Sequence, residues 1–115
     1  MQYLILIHLD GSAWPSMTPE QQAEGMRIYM AYTQALRDGG HLVQSSRLHP
    51  AAQAKQITFE GDKRRVVDGP YTDTKEQIGG FYLIDAANDS EALKLASECP
   101  GARHGRVELR QLAVM

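Results

Sequence analysis

With a single cysteine, Cys99, the chain cannot build an internal disulfide framework or a cysteine-rich zinc site. That usage fits a reducing compartment. Neither sign of charge is in excess: 12 Lys+Arg against 14 Asp+Glu give a net charge of −2, so no broad positive field exists to hold a polyanion or an acidic membrane surface. Nucleic acid is not an expected partner. Long apolar runs are missing too. The longest early one, Tyr3 to Ile7, is stopped by His8 and Asp10, with no basic residue ahead and no small-residue cleavage site behind. The reading is of no signal peptide, no membrane contact and a cytoplasmic protein. Repeats, low-complexity tracts, Gly-x-Gly-x-x-Gly, Walker glycine-lysine loops and Gly-x-Ser-x-Gly elbows are absent, which leaves nucleotide cofactors and serine-hydrolase chemistry unsupported. His8, His41, His49 and His104 share no metal-ligand spacing. No cofactor and no metal are expected.

What remains is an ordinary globular composition, 43% apolar and 23% charged over 115 residues, enough for one domain with its own core. Gln2 to Leu9 is apolar in both alternating sets, Tyr3/Ile5/Ile7 and Leu4/Leu6, and reads as a central strand. Thr18-Pro19-Glu20-Gln21 is a capping box with proline at the first helical position, so a helix starts at Pro19. Its buried stripe is Gly25, Ile28, Tyr29, Tyr32, Ala35 and Leu36, and Gly39-Gly40 ends it near Asp38. His41 to Arg47 is a short strand. Lys55 to Glu60 and Lys63 to Asp68 flank Gly61-Asp62, the glycine-first turn of a type II′ hairpin. Ile78 to Asp85, apolar on both faces, reads as a second central strand whose Gly79 and Gly80 permit close backbone approach. Asn88 caps a second helix with Ala92, Leu93 and Ala96 on its buried side and Pro100-Gly101 as its stop, and Arg106 to Val114 closes the chain as a strand.

The order β-α-β-(β-β)-α-β is that of an α+β, ferredoxin-like antiparallel sheet with two helices on one face and an added hairpin. Two central strands with apolar residues on both faces leave one sheet face uncovered. A second copy related by a two-fold axis would cover it, so a homodimer is expected.

The stretch Asp68-Gly69-Pro70-Tyr71, followed by Lys75-Glu76-Gln77-Ile78-Gly79-Gly80-Phe81, resembles the signature of the YCII-related, or DGPF-domain, bacterial proteins. Tyr71 stands where the usual motif has Phe. The likeness extends from Tyr3-Leu4-Ile5-Leu6-Ile7 through Leu36-Arg37-Asp38-Gly39-Gly40 to Gly105-Arg106-Val107-Glu108-Leu109-Arg110. It implies a dimeric α+β-barrel fold. It also implies a small domain that binds a compact cyclic or aromatic metabolite and, in some relatives, moves protons on it without a cofactor. A His-Asp pair is the site proposed for YCII-like relatives; the resemblance places its Asp at Asp38, while Tyr29 stands at the His position.

Read from the residues, His8 and Asp10 stand at i and i+2 on one strand and point to one face, a candidate base with its orienting carboxylate. The alternative is a strand end followed by a turn. Asp68, Tyr71, Lys75 and Glu76 crowd into the loop before a central strand, where loops held by a rigid sheet often carry function. They are candidate ligand contacts, against a structural role in capping the turn and pairing charges. The catalytic candidates are thus His8, Asp10 and Asp38, and the substrate-binding candidates Tyr29, Asp68, Tyr71, Lys75 and Glu76. The expected function is metabolite binding, with isomerase- or lyase-like proton transfer as its enzymatic form. The alternative is a non-enzymatic regulatory or accessory module that recognises another protein.

Overall fold

Tyr3, Ile5 and Ile7 are buried while Leu4 and Leu6 between them are only half-buried, the alternation of a strand with one face on a core. The computed structural model describes residues 1–69 and 76–114. Its elements in chain order are β1 (Gln2–Asp10), α1 (Pro19–Asp38), β2 (Leu42–Arg47), a 3₁₀ turn (Ala51–Gln53), β3 (Lys55–Glu60), β4 (Lys63–Asp68), β5 (Glu76–Asp85), α2 (Asp89–Ser97), α3 (Gly101–His104) and β6 (Arg106–Gln111). β2, β5, β1 and β6 form one antiparallel sheet in that order, and β3 and β4 pair as a separate two-stranded arm. The expected α+β, ferredoxin-like architecture is present, with β1 and β5 central. No helix is long and apolar enough to cross a membrane among the described residues.

Local chemistry sets the boundaries. At the start of α1 the Thr18 hydroxyl accepts from the Gln21 N–H at 3.1 Å while the Gln21 side chain accepts from the Thr18 N–H at 3.0 Å. At its end Gly40 takes φ +77°. Asn88 Oδ1 accepts from the Glu91 N–H at 2.9 Å and starts α2. In the arm, Gly61 is at φ +63° and Asp62 is not left-handed, the pattern of a type II′ turn.

Both helices pack on the Tyr3/Ile5/Ile7 face, in one core with Tyr32, Leu36, Tyr82, Ile84, Ala92, Ala96 and Cys99. Three expectations are corrected. Ile28 and Ala35 lie outside the buried stripe of α1, which runs through Gly25, Tyr29, Tyr32, Thr33 and Leu36 instead; the helix is turned so that Thr33 faces Tyr82. Leu93 is 61% exposed, because Ala92 and Ala96 bring α2 close to the sheet and Leu93 lies about 100° round the helix from Ala92. β6 stops at Gln111 rather than Val114, since β1 offers no partner beyond Gln2, whose carbonyl accepts from the Leu112 N–H at 2.9 Å. A short helix, α3, also follows the expected Pro100-Gly101 stop.

Candidate functional site

Between α1 and the strands β1, β5 and β2 lies a cavity of about 570 Å³, within the range of small-molecule sites. Ile7, Tyr82, Gly79 and Gly80 line its sheet side, and Met26, Tyr29, Met30 and Thr33 its helix side. A Cβ on Gly80 would stand 2.9 Å from the Ser46 carbonyl oxygen, so the close approach of β5 to β2 under the cavity requires glycine there.

The loop after β1 forms another wall. The Asp10 carboxylate accepts from the Ser12 N–H at 2.9 Å and the Ser12 hydroxyl at 2.8 Å, which turns the chain. Gln22 Nε2 then donates to the Trp14 carbonyl at 2.9 Å, tying the loop to α1. Trp14 thereby becomes a wall of the cavity, and the Arg47 guanidinium stacks over it, 4.7 Å from the ring centroid.

The hydroxyls behind this site are ordered in a chain. Thr33 Oγ1 lies 2.8 Å from the Tyr29 carbonyl and 2.7 Å from the Tyr82 hydroxyl. Because Thr33 has one proton and gives it to the carbonyl, the Tyr82 phenol donates to Thr33. Tyr32 stacks edge-on against Tyr82, with ring centroids 5.2 Å apart, and donates to the Leu95 carbonyl at 2.7 Å. Tyr29 makes no side-chain hydrogen bond among the described residues. Burial pushes its phenol up to about 12, with Cys99 and Tyr82 adding to the effect. Burial also raises Tyr82 and, more strongly, Tyr32, and lifts the Cys99 thiol. Around neutral pH these phenols are protonated and Cys99 is an unreactive thiol.

The sequence candidates fall in several places. Tyr29 and Asp10 line the cavity. His8 does not: it lies on the opposite sheet face, where its Nε2 is 3.2 Å from Glu108 Oε1, so the carboxylate beside it is Glu108. Asp38 is exposed and accepts from Gln34 Nε2 at 2.7 Å. Nine residues separate it from Tyr29, about half a turn round the helix, and the two positions carried over as a pair are not brought together. Asp68 pairs with Lys55, and Glu76 with Arg106. Tyr71 and Lys75 lie outside the described residues.

Trp14, Met26, Met30 and Arg47 were not singled out by sequence reasoning. A lone tryptophan in a glycine- and proline-flanked loop was the one available signal. Among the described residues no cluster of three or more His, Cys, Asp or Glu side chains could hold a metal ion.

An uncharacterized protein of Rhizobium meliloti (strain 1021) is 34% identical over 116 residues, covering 99% of this chain and 94% of its own length. The family model for the YCII-related domain matches residues 1–115. With the match running through the β1, glycine-pair and β6 segments that build the sheet under the cavity, the chain belongs to the YCII-related domain family.

Proposed function

We propose that this protein binds a compact, largely apolar metabolite in the cavity between α1 and the sheet, and that it works as a homodimer joined through the opposite sheet face. The observation that carries the binding reading is the cavity itself: about 570 Å³, walled by aromatic and thioether side chains and floored by two glycines. The dimer reading is supported by Leu4, Leu6, Phe81 and Leu83. They pair across β1 and β5 as Leu4 with Leu83 and Leu6 with Phe81, alternating with the core residues, and so form one apolar patch facing away from the helices.

Proton transfer is the chemistry the lining side chains themselves offer. The Tyr29 phenol is a donor with no side-chain hydrogen bond among the described residues, and His49 and Asp10 supply an imidazole and a carboxylate at the cavity. His8 is better read as a sheet-face residue paired with Glu108.

The test is a thermal-shift screen of lactones, substituted phenols and keto acids, with hits followed by fluorescence of Trp14, the single tryptophan. Hits that change Trp14 emission and vanish in Met30→Glu support the site. Hits indifferent to both place the ligand elsewhere and end this reading. For an enzyme, solvent-deuterium exchange into a bound carbon acid is lost in His49→Ala.

A second reading, a protein-recognition module, is favoured by the β3–β4 arm. Ile57, Phe59 and Val66 share one exposed face of it. Pull-down of a partner by the wild type but not by Phe59→Ser, together with no ligand hit, would select it.

A further inference from the structure

Arg27, Arg65, Arg106 and Arg110 each have a carboxylate within ion-pair distance. Arg47 has none among the described residues, and neither has Arg37, the other arginine lining the cavity, which donates to Gln34 Oε1 at 3.2 Å. The contacts of Arg47 are the Trp14 ring, over which its Cζ lies at 4.7 Å, and the Met26 thioether, 3.5 Å from Nη1. A thioether is a weak acceptor, so most of the five N–H donors of this guanidinium have no strong acceptor among the described residues. Stacking on Trp14 holds the plane of the group, and a guanidinium without a carboxylate partner offers the fork that matches a carboxylate in bidentate fashion.

Position completes the argument. Arg47 ends β2, in register with Gly80 of the cavity floor, and lines the cavity together with Trp14 and Met26. On the helix side Met26, Tyr29 and Met30 give the cavity an apolar stretch, with Thr33, Gln34 and Arg37 further along the helix. The Asp10 carboxylate, also at the cavity, is engaged by the Ser12 N–H and hydroxyl.

We infer that the cavity takes a small monocarboxylate with an aromatic or aliphatic body, its carboxylate held by the Arg47 fork and its body laid against Met26, Tyr29 and Met30. This rests on the reading of the cavity as a small-molecule site and adds the charge and shape of what enters it. Trp14 has a double role, as the shelf that holds Arg47 and as the wall that senses the ligand. A neutral amide of the same shape brings an N–H group to a site already rich in donors, and so binds more weakly.

The experiment compares matched acid and amide pairs: benzoate with benzamide, 3-phenylpropionate with 3-phenylpropionamide, and octanoate with octanamide. Each is titrated by calorimetry and by Trp14 fluorescence. In the wild type at least one acid binds and quenches or shifts Trp14, with its amide about tenfold weaker or more, the scale of one charge-assisted hydrogen bond. Arg47→Gln abolishes that preference. Arg47→Lys keeps the charge without the fork and retains part of it, which carries the test should Arg47→Gln fold poorly. Acid and amide binding equally well would overturn the carboxylate inference and leave the cavity reading standing. Loss of the preference in Arg37→Gln but not in the Arg47 variants would overturn the assignment to Arg47. No binding of any pair at millimolar concentration would overturn both.

Discussion

The tyrosines set the behaviour of individual residues at high pH. The hydrogen bond to Asp89 pushes the Tyr3 phenol up to about 12, as burial does for Tyr29, and Tyr32 and Tyr82 are raised by burial. In the unfolded chain each phenol ionises near 10. A group whose pKa is higher when folded contributes stability in full below its unfolded value and loses it as pH rises through the folded one. Stability should therefore be flat to about pH 10 and fall steeply towards pH 12, read by urea unfolding alongside tyrosinate absorbance. Tyr29→Phe flattens the slope without lowering neutral-pH stability, because that hydroxyl has no hydrogen bond among the described residues to lose. Tyr32→Phe gives up the bond to the Leu95 carbonyl and should cost about 1 kcal/mol at neutral pH. The sequence placed Tyr29 and Tyr32 on one helix stripe but could not rank them, since the difference lies in a carbonyl on another helix. Arg47 was illegible for the same reason: its stacking partner sits in a distant loop, and nothing local marks the pair.

Element boundaries were far more legible, because caps and tight turns are local chemistry. The Thr18 capping box, the Asn88 cap and the Gly61 turn each satisfy backbone groups with residues close by, and all three stand where the sequence puts them. Thr18→Ala should cost about 1 kcal/mol, measurable as a lower urea midpoint with an unchanged slope. Helix rotation was not legible. Ile28 and Leu93 are apolar residues at plausible spacing, yet both are exposed, and which flank of a stripe is buried is decided by what the helix packs on. At the strand level, Gly80→Ala is the informative change. Its Cβ would meet the Ser46 carbonyl of β2, a backbone atom that cannot swing aside, so β2 must shift away from β5. The expected result is a loss of melting temperature by several degrees together with weakened ligand binding, since β2 carries Arg47. A wild-type melt and wild-type binding would show that the two strands have more freedom than their register implies.

At the scale of the whole molecule the dimensions are those of a slab, 47 × 44 × 19 Å, with a radius of gyration of 16.2 Å. A compact chain of this length would have about 13 Å. The excess fits the arm of β3 and β4, whose residues are all exposed and which, as a two-stranded hairpin, is marginal alone in water. The proposed homodimer predicts a sedimentation mass twice the 12.8 kDa of one chain. Leu6→Glu, which puts a charge into the patch between β1 and β5, should return it to one chain; a mass already equal to one chain in the wild type would refute the dimer. The order of strands has a further consequence, for the time at which folding can begin. β1 is made first but pairs with β5 on one side and β6 on the other, both from the second half of the chain. At about 5–20 residues per second the ribosome takes several seconds to supply the first of these partners. Throughout that interval an apolar strand has two bare edges, and its pairings carry a large loop-closure cost. Sheet assembly therefore waits for the C-terminal half to emerge, and the nascent chain is exposed to aggregation throughout its synthesis.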